Sequence, residues 1–263
     1  MLQVFQVALK GIFRDRIFQG IMFAALLLFL IPAISTLSMR QVTALAISLS
    51  LGLVSFIQLL LAVFLGGTSL WRDIERRYSY SILGLPLSRN SYLLGKFLAV
   101  AIFILLVAVL LGSISMGLSF WVAGAYPPDQ PVVWVYVTLA VFFDALKYIL
   151  LVAVGFLLST FSTSFFLPVF GTIIFFMVGS ATQEVYAFIN SAAAQQLPAL
   201  VKTAANALYY VLPNFSAFDL KVHAIYAVPP DINGLTLTFC YFLVYTGILL
   251  TLACVSFSHR EMK

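Results

Sequence analysis

Apolar runs of about 18 residues or more recur along this chain with almost no charge, and the charges between them gather into a few islands. Each run is long enough to cross ~30 Å of hydrocarbon as an α-helix. Inside a bilayer every backbone N–H and C=O must be satisfied within the protein, which leaves helices or a closed barrel. Barrel strands are shorter and alternate apolar with polar residues, and these runs do neither. The expected fold is all-α: a polytopic membrane protein with six transmembrane helices, an N-terminal interfacial helix and a cytoplasmic helix-turn-helix. Residues 1–263 read as a single transmembrane domain.

Composition narrows the classes further. The chain is 63% hydrophobic and 9% charged, too lean in polar sequence to carry a folded soluble enzyme domain as well. Its net charge of +5 comes from basic residues flanking the runs. No soluble basic face exists, so membrane lipid is an expected contact and nucleic acid is not. Cys240 and Cys254 both fall in the last run, about 21 Å apart on a helix, beyond the reach of a disulfide. His223 and His259 lie far apart with no ligand-like spacing, so no metal site is expected.

The opening LQVFQVALKGIFRDR places Leu2, Phe5, Leu9, Ile12 and Phe13 at helical spacing, with Gln3, Gln6, Lys10 and Arg14 mostly off that stripe. Residues 1–16 therefore read as an amphipathic helix lying in the membrane interface. The first span is expected at Ile17–Leu37, too long for the apolar region of a cleaved leader, with Pro32 kinking it near its far end. The others are expected at Ala44–Leu70, Phe97–Ala123, Val132–Leu158, Phe165–Ser180 and Gly234–Phe257. Residues 182–233 form a long external amphipathic segment, broken at Pro198 and Pro213. It would lie on the outer leaflet, cap the spans or form a lid.

Six spans put both termini on one side. With the N-terminus inside, the inner segments hold Lys10, Arg14, Arg16, Arg72, Arg76, Arg77, Arg89, Lys96, Arg260 and Lys263, and the outer segments only Arg40, Lys202 and Lys221. Basic residues favour the cytoplasmic side, so a bacterial cytoplasmic (inner) membrane with both termini cytoplasmic is expected.

The densest island is residues 71–90. WRDIERRYSYSIL carries Trp71, Ile74, Tyr78 and Ile82 on one helical face, with Arg72, Asp73, Glu75, Arg76 and Arg77 on others. Pro86 restricts Leu85 to extended geometry and ends that helix. Ser88 can cap the next helix, which begins near Asn90. The second and third spans would thus be joined by a stiff helix-turn-helix. Such an element either anchors a hairpin in register or docks a partner and transmits force.

Here the sequence resembles the ABC type-2 exporter permease family. The family's cytoplasmic loop carries a Glu-bearing short helix, a (Leu/Lys)-Pro-(Leu/Ile/Val)-Ser-Arg turn and a Leu-Leu-Gly-Lys start to the third span. The matching residues are Asp73, Glu75, Leu85-Pro86-Leu87-Ser88-Arg89 and Leu93-Leu94-Gly95-Lys96. The opening LKGIFRDRIF and the six-span layout are similar too, though the specific motif covers only Trp71–Lys96. Many members follow the Glu with Gly-Thr, where this chain has Arg76-Arg77-Tyr78, a departure that bears on the choice of partner.

The resemblance implies that residues 71–90 are a coupling element seated on a separate ABC ATPase subunit. Arg72, Asp73, Glu75, Arg76, Arg77 and Arg89 would supply rim charges. Tyr78 and Ile82 would pack between them, and Pro86 and Ser88 would shape the turn. Two ATPase copies and a second permease copy, a homodimer by default, complete the assembly that the resemblance implies. The chain has no G-x-x-x-x-G-K-[ST], so it is expected to be non-catalytic, with ATP and Mg on the partner ATPase.

Three polar residues within spans stand out. Asp144 and Lys147, at i and i+3 in the fourth span, can pair. They are either part of a translocation path or an interhelical pair that fixes packing. Gln58 in the second span is expected to hydrogen-bond between helices. A secondary transporter or intramembrane enzyme centred on Asp144 and Lys147 is the alternative to the exporter reading, and a membrane scaffold a further one.

Overall fold

The structure is a computed structural model that describes residues 2–13, 15–38, 41–75, 88–128, 130–191 and 198–259. Among these, every regular element is helical, and six helical segments are long and apolar enough to cross a membrane. The chain is an all-α, multi-pass membrane protein, as its apolar runs demand.

Helix α1 (Leu2–Phe13) packs across the third span. The first span is made of α2 (Arg16–Ala24), a 3-10 stretch (Ala25–Leu30) and α3 (Ile31–Ser35). Pro32 has no N–H to offer the Leu28 carbonyl and its ring crowds it. The chain tightens instead, and Ile31 N–H bonds Leu28 three residues back.

The second span is α4 (Val42–Leu61), a π-helical turn (Ala62–Gly66) and α5 (Gly67–Glu75). The third is α6 (Arg89–Ala125). Ser88 caps α6, its hydroxyl accepting from Ser91 N–H at 3.2 Å, as its place before the helix foretells. α4 and α6 run antiparallel, in a register set by Thr43 donating to the Tyr126 carbonyl (2.6 Å) and Ser50 meeting Ser119 (3.4 Å).

The fourth span, α7 (Trp134–Phe161), is the core of the bundle. It contacts α4, α5, α6, α8 and α11 and is buried around most of its surface, whereas the first, fifth and sixth spans turn most of theirs outward. Its closest crossing is at the π turn. There Gly155 faces Gly66 and Gly67, and a Cβ on Gly155 would lie 2.9 Å from the Gly66 carbonyl carbon. Ser159 donates to the Gly67 carbonyl at 3.0 Å across this crossing.

The fifth span differs from expectation. α8 runs Phe166–Ile189, nine residues past Ser180. The polar triplet Thr182-Gln183-Glu184 resembles a span end, but the helix continues, with Thr182 buried and Gln183 and Glu184 exposed. α9 (Ala199–Val211) packs back along α8, with Tyr186 and Tyr209 stacked at 4.1 Å between centroids.

The rest of residues 182–233 folds back into the bundle. Tyr245 donates to the Val211 carbonyl (2.6 Å), and Asn214 N–H donates to Tyr241 (3.0 Å). Both tyrosines belong to the sixth span, α11 (Ile232–His259), and lie roughly 14–20 Å along it from its start. Phe215 and Phe218 are fully buried at this depth. Irregular backbone is tolerated there because protein satisfies it: Phe215 N–H bonds the Gly179 carbonyl and Ser216 bonds that of Ser180. The chain climbs out through α10 (Lys221–Tyr226) to a left-handed Ala227.

Candidate functional site

Two polar clusters stand out. The first lies at the end of the bundle where α1, α5, α6 and α11 meet. Asp73, on α5, accepts from the Lys96 ammonium and the Tyr92 hydroxyl, both on α6. Lys96 is buried and also donates to the Ser69 carbonyl. These bonds clamp the two helices that enter and leave the island. Arg72 pairs with Asp15, in the link between α1 and α2, at 2.5 Å. Arg89 donates to the Ser258 carbonyl at 3.0 Å, tying the start of α6 to the end of α11.

Arg72, Asp73 and Arg89 thus have partners within the chain, in addition to any rim role that the resemblance implies. Glu75 is exposed at the end of α5, and Ser88 is exposed at the cap of α6. Arg76, Arg77, Tyr78, Ile82 and Pro86 lie outside the described residues. Asp15, Tyr92 and Lys96 were not expected as partners. Asp15 is the one acid among Lys10, Arg14 and Arg16, and the sequence does not show that Arg72 is its partner.

The second cluster sits in mid-bundle. Lys147 pairs with Asp144, and both are buried. Ser55 on α4 donates to Asp144 Oδ1 at 3.1 Å and meets the Tyr148 hydroxyl at 2.8 Å. Ser55 has one proton and gives it to the carboxylate, so Tyr148 donates to Ser55. The Lys147 ammonium also lies 4.7 Å from the Tyr148 ring centroid. The result is a closed network bridging α4 and α7, the form that lowers the cost of charges in hydrocarbon. Asp219, on the re-entrant segment, is within electrostatic reach of Lys147.

Gln58 departs from its expected role. It is fully buried, yet neither of its amide atoms has a hydrogen-bond partner among the described residues. Ser55, one turn away, holds the interhelical contact instead. Neither Ser55 nor Tyr148 was singled out from sequence, because a lone hydroxyl in a span is common; their offsets from Gln58 and Lys147 were the available signal.

Against known proteins, the chain matches no protein-family profile and no curated sequence.

Proposed function

We propose that this chain is the membrane-spanning permease subunit of an ABC exporter. It would couple ATP hydrolysis on a separate ATPase subunit to translocation, acting with a second permease copy. The observation that supports this best is the clamp of Lys96 and Tyr92 on Asp73. A buried ammonium joins the two helices flanking residues 71–90, so a push on that element would move the second and third spans together. The Arg72–Asp15 pair extends the same linkage to the interfacial helix. This geometry adds to the resemblance carried by Trp71–Lys96. The Asp144–Lys147 pair, by contrast, is satisfied within the chain, as a packing element should be.

A mild-detergent pull-down of the tagged chain from its native membrane tests the proposal. A stoichiometric ATPase with a P-loop is expected to co-purify, and Glu75→Arg is expected to detach it or abolish its stimulation while the spans stay folded. Retention of the complex with full stimulation would count against docking here. A chain recovered alone that works without ATP would shift the assignment to Asp144 and Lys147.

Topology has its own test. A cysteine placed at Ser88 is expected to react with a membrane-impermeant maleimide only from the cytoplasmic side. Reaction from outside would invert the topology and remove the docking surface from the ATPase.

A further inference from the structure

The segment that folds back between α9 and α10 turns a charge outward at a depth where its apolar side chains are buried. Three contacts mark that depth. Ser216 donates to the Ser180 carbonyl inside α8, the Phe218 ring lies 6.3 Å from that of Tyr241 inside α11, and Asp219 is within electrostatic reach of Lys147 inside α7. The backbone at Asp219 is extended, with φ −86° and ψ 100°, so side chains alternate in direction there. Phe218 and Leu220 are buried, and Asp219 is exposed between them. Lys221 N–H donates to its Oδ1 at 3.0 Å and holds the carboxylate at the foot of α10. No cation among the described residues forms an ion pair with it, and Lys147 already pairs with Asp144.

A carboxylate facing hydrocarbon at this level is strongly disfavoured, so lipid is a poor cover for this face. Water covers a carboxylate at the least cost, and the structure has a route for it. α10 ends at Tyr226, which lines a cavity of about 440 Å³ at the end of the bundle opposite the Lys96–Asp73 clamp. Gln41, Thr43, Tyr126 and Gln130 also line it, a hydrophilic set. Between this cavity and Asp219, α10 exposes Val222 and Tyr226, one turn apart on the same face.

We propose that the exposed face of residues 217–226 lines a water-filled vestibule, which opens at that cavity and reaches down to Asp219. The carboxylate is the charge at its floor and favours cationic solutes over anionic ones there. The vestibule does not rest on the exporter reading.

Thiol labelling of the full chain in sealed membrane vesicles tests it, with Cys240 and Cys254 replaced by Ala. The probes are Ala217→Cys and Val222→Cys, at exposed positions of the face. Tyr226→Cys is the reference in the cavity, and Val244→Cys, exposed on α11 next to Tyr245, is the control on an apolar face. Two membrane-impermeant methanethiosulfonates, one bearing trimethylammonium and one sulfonate, are added from the side that labels Tyr226→Cys. Rates are normalised to those of a free thiol in solution. Ala217→Cys and Val222→Cys are expected to react, and Val244→Cys far more slowly. At Ala217→Cys the cationic reagent is expected to be favoured severalfold. Asp219→Asn, which keeps an acceptor for Lys221 N–H, is expected to abolish that preference. Protection of both Ala217→Cys and Val222→Cys would overturn the vestibule, whether lipid or a second copy of the chain covers the face. Equal rates at Val244→Cys would do the same. A charge preference untouched by Asp219→Asn would overturn the place of Asp219 at its floor.

Discussion

Asp144→Leu is expected to destabilise the bundle by about 3–5 kcal/mol, because it leaves a buried ammonium without its counter-charge. Lys147 is buried on the central helix, and with Asp144 removed it keeps the Tyr148 ring and the more distant charge of Asp219. Ser55 would lose the acceptor for its proton in the same step. The double variant Asp144→Leu/Lys147→Met is expected to recover most of the loss, since apolar residues of similar volume replace a buried pair at little net cost. Thermal unfolding in detergent of the two single variants and the double variant measures this. A double variant as unstable as Asp144→Leu would show that the pair is not the stabilising unit. The same double variant separates the readings of the pair: ATP-driven transport survives its loss if the pair only fixes packing, and stops if it lines the path.

Gly155→Ala should produce the second large effect, a loss of about 1–3 kcal/mol from overpacking. The added methyl would lie 2.9 Å from the Gly66 carbonyl carbon and 3.0 Å from the Gly67 nitrogen. Both are backbone atoms, so no rotamer change relieves the contact. The π turn and α7 must separate, straining the Ser159–Gly67 bond. Gly52→Ala, on the same second span, is the control. Nothing lies within 4 Å of a Cβ there, so helix propensity should make it neutral or stabilising by up to ~1 kcal/mol. Equal effects of the two substitutions in a thermal-shift measurement would refute the close crossing.

Several features were legible because they depend on local chemistry. Runs of apolar residues need hydrocarbon, and Ser88 sits where a helix start needs an oxygen. Pro32 marks where the first span departs from a regular α-helix, although as a 3-10 stretch and not as the expected kink, and Asp144 and Lys147 share a helical face at i and i+3. Other features were not legible, because their physical cause lies in another part of the chain. Thr182-Gln183-Glu184 reads as the end of a span until α9 is seen packed back beside the helix. Gln58 reads as the interhelical bond until Ser55 is seen to take that place. Lys96 reads as a surface anchor until Asp73, 23 residues earlier, is brought against it.

What the sequence by itself determined is the solvent of each segment: which residues must be helical, which lie in hydrocarbon, and where charges are tolerated. That follows from transfer free energy and backbone hydrogen bonding, which act residue by residue. Only the tertiary structure decided that α7 is the core and that Gly155 meets the π turn. It also decided that residues 211–220 fold back to the depth of Lys147, that Lys96 closes on Asp73, and that the Asp144–Lys147 pair is tied to Ser55 through Asp144. Lipid is as apolar as the side chains of the spans, so hydropathy cannot rank one helix face against another. Close packing and the need to satisfy each buried polar atom make that choice, and both depend on which helices meet.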